Sequence, residues 1–475
     1  MKTFLGIDVG TTSIKAAVFD ETGRRLGFRV AEYALDTDAA TGFIEFDPQT
    51  YVALCERVID ELIAECGKPD ALSVDTQGET LILSNEAGEP LYPAVVWLDN
   101  RAAAEAEDIR AAFGNRRVYE VTGQPEIAAG FPAPKLLWFC RRRPDIFEKT
   151  KKIFLLGDWI VYRWTGQFVT EPTLQSSSVY YDITRRAWWR EMLDYIGVRE
   201  EQLPRLCRSM EPVGTYRGMT VVTGMLDQIA GAVGCGAVNE RTISEMTGTI
   251  MAVCAMTKTV PPYDPESIVP CHIHAVEGQY CRLLWSPTAG MALKWFRETF
   301  AENCSFRDLD TLAEKVPPGC DGLTVLPYFA GATMPRYDPE ATATFTGVTL
   351  AHTKAHFARA VMESVAYLLF EDLAYIGADG VEEIRVTGGG AKSPLWVQMK
   401  ADVTGKTLKT VAEGETACLG SALAAAVGIG VFDTVEQAAG KLCRTEKIYS
   451  PTGADYRDGY ARFRETDARM RRRKE

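Results

Sequence analysis

Four short segments of this 475-residue chain carry residue types suited to chemistry on phosphate groups. The first is Asp8-Val9-Gly10-Thr11-Thr12. Gly10 lets backbone amides approach an anion, the two threonine hydroxyls add donors, and Asp8 can hold a magnesium ion directly or through water. Thr247-Gly248-Thr249 repeats the pattern of a glycine flanked by hydroxyls at the start of the second half. Val386-Thr387-Gly388-Gly389-Gly390-Ala391 offers bare backbone against which a purine or ribose can lie. It is not Gly-x-Gly-x-x-Gly, so a dinucleotide site is the weaker reading. The fourth segment, Asp227-Gln228, supplies a carboxylate able to take a proton from a substrate hydroxyl. Taken singly, the first segment also fits an ordinary hairpin, Asp227 a helix cap, and Lys15 a solvated strand residue.

These residues need elements to hold them. The opening reads as strands Thr3 to Val9, Ser13 to Asp20 and Arg25 to Tyr33, with Gly23 in the second turn. Asp47 and Pro48 start a helix whose apolar stripe Tyr51, Cys55, Val58, Ile59, Leu62 and Ile63 ends at Gly67. Ala71 to Asp75 is a short strand running into a polar turn. A glycine-rich stretch from Gly231 to Asn239 separates this half from the strands of Thr242 to Met256. Phe357 to Leu369 marks a long helix, Glu383 to Thr387 a strand, and Pro394 the start of another helix. Strand and helix alternate in both halves, which predicts two α/β layers with a ligand cleft between them.

Composition narrows the partners. With 52 basic and 64 acidic residues the net charge is −12, so a nucleic-acid partner is excluded over most of the surface. The basic run Arg469 to Lys474 ends a stretch of helical periodicity and reads as a solvated helix end. The apolar N-terminal stretch is cut short by Asp8, and the run Ala422 to Phe432 is too short to cross a bilayer, so no membrane partner and a cytoplasmic location are expected. Twelve scattered cysteines without a Cys-x-x-Cys pair read as buried small hydrophobes. Cys271, His272, His274 and Cys281 are zinc-ligand types, but the alternation from Cys271 to Ala275 favours a strand, and His352 and His356 favour a structural role.

Together with Trp97-Leu98-Asp99-Asn100-Arg101, Gly130-Phe131-Pro132-Ala133-Pro134-Lys135-Leu136-Leu137-Trp138, Trp396 and Ala401-Asp402, these segments resemble in their order the FGGY family of carbohydrate kinases. That family belongs to the sugar kinase, actin and chaperone ATPase superfamily, and the resemblance covers nearly the whole chain. It implies an α/β fold of two ribonuclease H-like domains, 1–237 for the sugar and 238–475 for the nucleotide, with ATP and Mg2+ in the cleft between them. By resemblance, Asp227 is the general base, Asp8 the metal position, and Gly10, Thr11, Thr12, Gly248 and Thr249 surround the phosphates. Gly290, Lys294, Gly389, Gly390 and Ala391 match positions near the nucleotide, and Gln77, Gly78, Glu79, Trp97, Asp99, Asp227 and Gln228 match the substrate side.

The substrate segments are mixed. Gly130 to Trp138 is similar to the xylulose kinases, and Gly130 stands where glycerol kinases carry a tyrosine. Thr76-Gln77-Gly78-Glu79-Thr80 departs from the xylulose kinase pattern Gln-Met-His-Gly and resembles the glycerol kinase pattern Asn-Gln-Arg-Glu-Thr with Gly78 for Arg. Ser393 replaces an Asn that many members place near the adenine. The expected activity is phosphorylation of a primary hydroxyl of a small sugar or polyol, a pentulose such as xylulose first, with glycerol, erythritol or gluconate as alternatives. An actin-like nucleotide switch is the reading from another class, and a homodimer is compatible with either.

Overall fold

The chain opens with a meander of β1 (Thr3–Val9), β2 (Ser13–Asp20) and β3 (Arg25–Glu32), turned tightly at Gly23, which sits at φ 77°. The computed structural model describes residues 1–333, 337–378 and 380–472, so Arg473 and Lys474 of the basic run lie outside the described residues. β4 (Ala71–Thr76) runs parallel to β1. β6 (Met219–Val222) follows parallel to β4, and β5 (Pro212–Tyr216) closes the edge antiparallel to β6. The order across this six-stranded sheet is β5-β6-β4-β1-β2-β3.

The second sheet repeats the plan. β7 (Thr242–Thr247) and β8 (Met251–Thr257) form a hairpin, to which β10 (Tyr280–Ser286) and the short β9 (Cys271–Ile273) add antiparallel. β11 (Glu383–Thr387) and β12 (Thr407–Val411) extend the other side in parallel, and β13 (Thr445–Tyr449) closes it antiparallel. The order is β9-β10-β8-β7-β11-β12-β13. An antiparallel meander followed by parallel strands, found twice, is the two-domain α/β architecture expected from the sequence.

Helix α1 (Pro48–Cys66) is capped by Asp47, whose carboxylate accepts Gln49 N–H, and it buries Tyr51, Val52, Cys55, Val58, Ile59 and Leu62 against the first sheet. α2 (Pro132–Arg142) begins with Pro at its first turn, where a missing N–H costs nothing. α3 (Asp227–Cys235) follows β6, and α4 (Gly290–Phe300) follows β10. The long α5 (Lys354–Tyr375) and α6 (Pro394–Thr404) flank β11. Ser393 caps α6, its hydroxyl accepting Trp396 N–H at 3.1 Å.

α7 (Thr416–Gly428) crosses between the halves: it follows β12 of the second sheet yet packs on β1, β2 and β4 of the first, and on α3. Its small residues Gly420, Ala422, Ala424, Ala425 and Ala426 are buried, which accounts for the apolar run seen in the sequence. Among the described residues no helix is long and apolar enough to cross a membrane. His272 and His274 are buried side chains of and beside β9, where burial pushes each imidazole down to about 4. His352 precedes α5 and His356 lies in its first turn, the two rings packing 5.2 Å apart beside Asp321.

Candidate active site

A cavity of about 280 Å³ lies between the two sheets. From the first half it takes Asp8, Gly10, Thr11, Thr12, Ser13 and Lys15; from α3, Asp227 and Gln228; from the second sheet, Ser244, Met246 and Thr387; and from α7, Thr416 and Ala417. The strand registers explain the first group. Asp8 pairs with Lys15 across β2 and with Asp75 across β4, so three ionisable side chains stand in a row on one face of the sheet. The turn after β1 is pinned by Gly10 N–H donating to Ser13 C=O at 3.0 Å and by the Tyr33 hydroxyl donating to Gly10 C=O.

Burial dominates the electrostatics. It raises the Asp8 carboxyl to about 6, against the lowering pull of Lys15. It raises Asp227 to about 8, helped by the negative charge of Asp8. Asp75, fully buried and accepting the Ser421 hydroxyl at 2.5 Å, is pushed well above the ordinary carboxylate range by burial and by Asp8. Two carboxylates facing one cavity, beside threonine hydroxyls, form a set of hard oxygen donors short of positive charge, and that set fits a divalent cation. Lys15 is the only lysine or arginine among the described lining residues, and it pairs with Glu415 at 2.8 Å across the junction of the halves. A solvated strand residue is one reading of Lys15 in the sequence; its alternation with Ile14 and Ala16 shows only that it faces away from them, and the pairing of β1 with β2 places it beside Asp8.

On the second sheet, Thr247-Gly248-Thr249 turns between β7 and β8, as the spacing predicted. Gly290 N–H donates to Gly248 C=O at 3.0 Å, and a Cβ on Gly290 would lie 2.2 Å from that oxygen. A Cβ on Gly388, at φ 78°, would lie 2.6 Å from Thr247 C=O, and one on Gly390 2.7 Å from the Thr247 methyl. Gly290 and the glycine run therefore draw three loops together on Thr247. Gly389 and Ala391 lie in the short turn that joins β11 to α6. Lys294 stands half-exposed on α4, 3.9 Å from Glu298, one turn beyond Gly290. Beneath the loops, buried Lys400 donates to Glu245 Oε1 at 2.9 Å and to Thr247 Oγ1 at 2.6 Å, an anchor the sequence reading missed. Its signal was a lysine in register with the buried Trp396, Val397, Ala401 and Thr404 of α6.

The substrate-side residues come from turns beside the first sheet. Gln77 N–H donates to Val9 C=O at 3.0 Å and its side-chain amide to the Tyr51 hydroxyl at 3.1 Å. Glu79 adopts φ 60°, a strained value for a non-glycine residue, and burial raises its carboxyl above the ordinary range. A Cβ on Gly130 would lie 2.4 Å from Trp97 C=O, so that position has no room for the glycerol kinase side chain, whereas one on Gly78 would crowd only the end of the Leu226 side chain, at 2.8 Å. Trp97 is 38% exposed and donates from Nε1 to Thr11 Oγ1 at 3.0 Å, which joins the substrate side to the phosphate turn.

Asp99, on the substrate side by resemblance, has both carboxylate oxygens engaged within the chain: Oδ1 accepts from Arg101 N and Nε, Oδ2 from Arg101 Nη2 and Ile44 N. Against the cost of its burial, Arg101 holds the Asp99 carboxyl below the usual range. Asp99 is fully buried, and it braces the framework behind Trp97.

The model of the N-terminal domain of the FGGY family of carbohydrate kinases matches residues 3–238, and that of the C-terminal domain matches residues 263–429. The chain belongs to the FGGY family of carbohydrate kinases. That membership decides for the enzyme and against the nucleotide switch. The FGGY chain is 29% identical over 456 residues to a xylulose kinase of Lactococcus lactis, covering 92% of this chain and 90% of the relative. It is 27% identical over 487 residues to an autoinducer-2 kinase of Salmonella typhimurium, covering 95% and 91%. In fold it is similar to a ligand-bound xylulose kinase from Lactobacillus acidophilus, with a TM-score of 0.90 at 24% identity over 99% of this chain and 98% of that one.

Proposed function

We propose that this FGGY kinase transfers the terminal phosphoryl group of ATP to a primary hydroxyl of a pentulose, xylulose first, with Asp227 as general base. One observation carries the reading: Asp227 opens α3 inside the same cavity as Asp8, Thr11 and Thr12, which Ser244, Met246 and Thr387 of the second sheet also line. The names of the curated relatives, xylulose kinases at 27–29% identity, support the substrate.

Each residue has a physical task in this reading. Asp227 Oδ1 accepts Gln228 N–H at 2.6 Å, which fixes the carboxylate so that its other oxygen can receive the hydroxyl proton. The amides and hydroxyls of 10–12 and 247–249 position the phosphates, and positioning is most of what phosphoryl transfer asks of a protein. Asp8 would hold Mg2+, directly or through water, and the ion when bound supplies charge neutralisation on the phosphate oxygens. Lys15, released from Glu415, adds to the same charge the one ammonium among the described lining residues. Lys15→Met is therefore expected to lower kcat/KM for ATP by about a hundredfold with little change in the sugar KM. Equal kinetics in the two proteins would remove Lys15 from the site.

A neutral substrate is favoured over an aldonate such as gluconate. The cations nearest the substrate segments are committed: Arg101 to Asp99 at 2.8 Å and Glu45 at 2.7 Å, and Lys135 to backbone carbonyls. Glu79, able to accept two hydroxyl hydrogen bonds, is the reason glycerol and erythritol stay as the second reading. ADP release measured across pentuloses, glycerol, erythritol and gluconate tests both. Turnover is expected on a pentulose; no turnover on any of them, with ATP bound, sinks the proposal.

A further inference from the structure

Among the described residues two lysines are fully buried, one in each half: Lys400 on α6 and Lys135 on α2. Lys400 has a carboxylate partner in Glu245. Lys135 has none within 4 Å among the described residues; its ammonium donates to Val96 C=O at 2.9 Å, Glu79 C=O at 3.2 Å and Val95 C=O at 3.5 Å. Three N–H donors meet three carbonyls, and so complete a set is what makes an ammonium group tolerable away from water. Even so, burial lowers its affinity for a proton, to about 7, against the attraction of Glu79 and Asp99.

The acceptors are not scattered. Glu79 is the strained residue of the turn after β4, and Val95-Val96 leads directly into Trp97. Lys135 thus ties the segment carrying the Glu79 carboxylate to the segment carrying the Trp97 ring. A second tie runs beside it, Trp97 N–H donating to Thr80 Oγ1 at 3.3 Å. The start of α2 presses on the same wall, since Gly130 lies against Trp97 C=O with no room for a Cβ. Lys135, Thr80 and Gly130 together leave these two walls little freedom to move apart.

We propose that Lys135 is a positioning residue for the sugar: by fixing the separation of the Glu79 and Trp97 walls it sets which length of polyhydroxylated chain the enzyme accepts. The proposal rests on the sugar kinase reading given above. A lysine that merely held the core together would, on removal, lower stability and weaken both substrates alike. A positioning lysine moves the sugar terms far more than the ATP terms: the backbone of the phosphate turn has its own pins in Ser13 and Tyr33, and it meets the Trp97 wall through the indole–Thr11 hydrogen bond.

Steady-state kinetics of the full chain, with each substrate varied, separate the two. Lys135→Met is expected to raise the sugar KM by about tenfold or more, keep the ATP KM within about twofold, and flatten the ranking among three- to six-carbon neutral substrates. Lys15→Met gives the opposite split, ATP terms moving and sugar terms not. An unmoved sugar KM and ranking in Lys135→Met, or equal rises in both KM values, overturns the proposal. If Lys135→Met does not fold, Thr80→Val decides: it cuts the second tie with a side chain of the same shape. A sugar KM raised about threefold at constant ATP KM supports the tied-wall geometry, and an unmoved one overturns it. Wild-type turnover on no sugar in the panel defeats the substrate reading itself, which is a different result from turnover whose sugar terms the variants leave unchanged.

Discussion

Asp227→Asn is expected to lower kcat by about three orders of magnitude while ATP still binds, and to make the protein more stable at pH 8. The amide matches the carboxylate in shape and can still accept Gln228 N–H through its oxygen, so α3 keeps its start. It cannot accept the hydroxyl proton. The stability gain follows from proton linkage. Folded Asp227 keeps its proton up to about 8, whereas in the unfolded chain it loses it near 3.8. Between those values the folded state binds more protons than the unfolded one, so wild-type stability is full below the lower value and falls as pH rises through the upper one. Asn has no such dependence. The variant's free energy of unfolding, from denaturant titration, should match the wild type near pH 4 and exceed it at pH 8, by an amount on the order of a few kcal/mol. A kcat within about tenfold of wild type would dismiss Asp227 as the base, and a less stable variant at pH 8 would mean that its carboxylate is paired.

The same linkage sets the rate profile. Asp227 must be ionised to act, so kcat/KM for the sugar in the wild type should climb with pH towards 8 and level above it, lower if a cation is bound. A profile flat from pH 6 to pH 9 would place the proton elsewhere.

How much of this was legible depended on how local each signal was. β1 and β2 were read to the residue, because alternation and the Gly23 turn lie within a few positions of one another. The same holds for α1, whose cap, first-turn proline and apolar stripe are contiguous. The phosphate turns were legible as glycine among hydroxyls. The partners of Asp99 are only half legible: Arg101 stands two residues away, and an Asp-x-Arg pair can close on itself, but the Ile44 amide that completes the set is far off in sequence. Lys135 and Lys400 were passed over as sites because a lysine on an apolar stripe ordinarily reaches solvent with its head group. Only the fold shows that carbonyls from two other segments, or Glu245 from β7, meet them inside. Asp75 was seen as the end of a strand, and its neighbours Asp8 and Ser421 come from either end of the chain. The destination of α7 was hidden for a different reason: with small apolar residues all round it has no distinct face, so periodicity says that it is buried without saying against which sheet.

That helix is where one methyl group should do most damage. A Cβ on Gly420 would lie 2.0 Å from Ala230 C=O of α3, and one on Gly234 of α3 would lie 1.8 Å from Thr416 C=O of α7. On the other side of α7, a Cβ on Gly6 of β1 would lie 1.8 Å from Cys418 C=O. All three obstacles are backbone, which cannot rotate away as a side chain would. Gly420→Ala therefore has to push α3 from α7 by more than an ångström, and overpacking of that kind costs about 3 kcal/mol or more. Out of a total folding stability on the order of 5–15 kcal/mol, that is a large fraction. The functional loss should exceed what unfolding alone explains. Asp227 is the first residue of α3, while Asp8, across the cavity, is held by β1 on which α7 rests. Separating the helices thus shifts the base relative to the phosphate turn, and a displacement of about 1 Å at a reacting centre can cost about a hundredfold in rate. Gly420→Ala is expected to give a lower denaturation midpoint and, in the protein that remains folded, a kcat reduced by about that factor at an unchanged fraction of bound ATP. Gly440→Ala, where a Cβ meets nothing within 4 Å, serves as the matched control. A Gly420→Ala protein as stable and active as that control would show that α3 and α7 can part without moving Asp227, and would separate the packing of the two halves from the placement of the base.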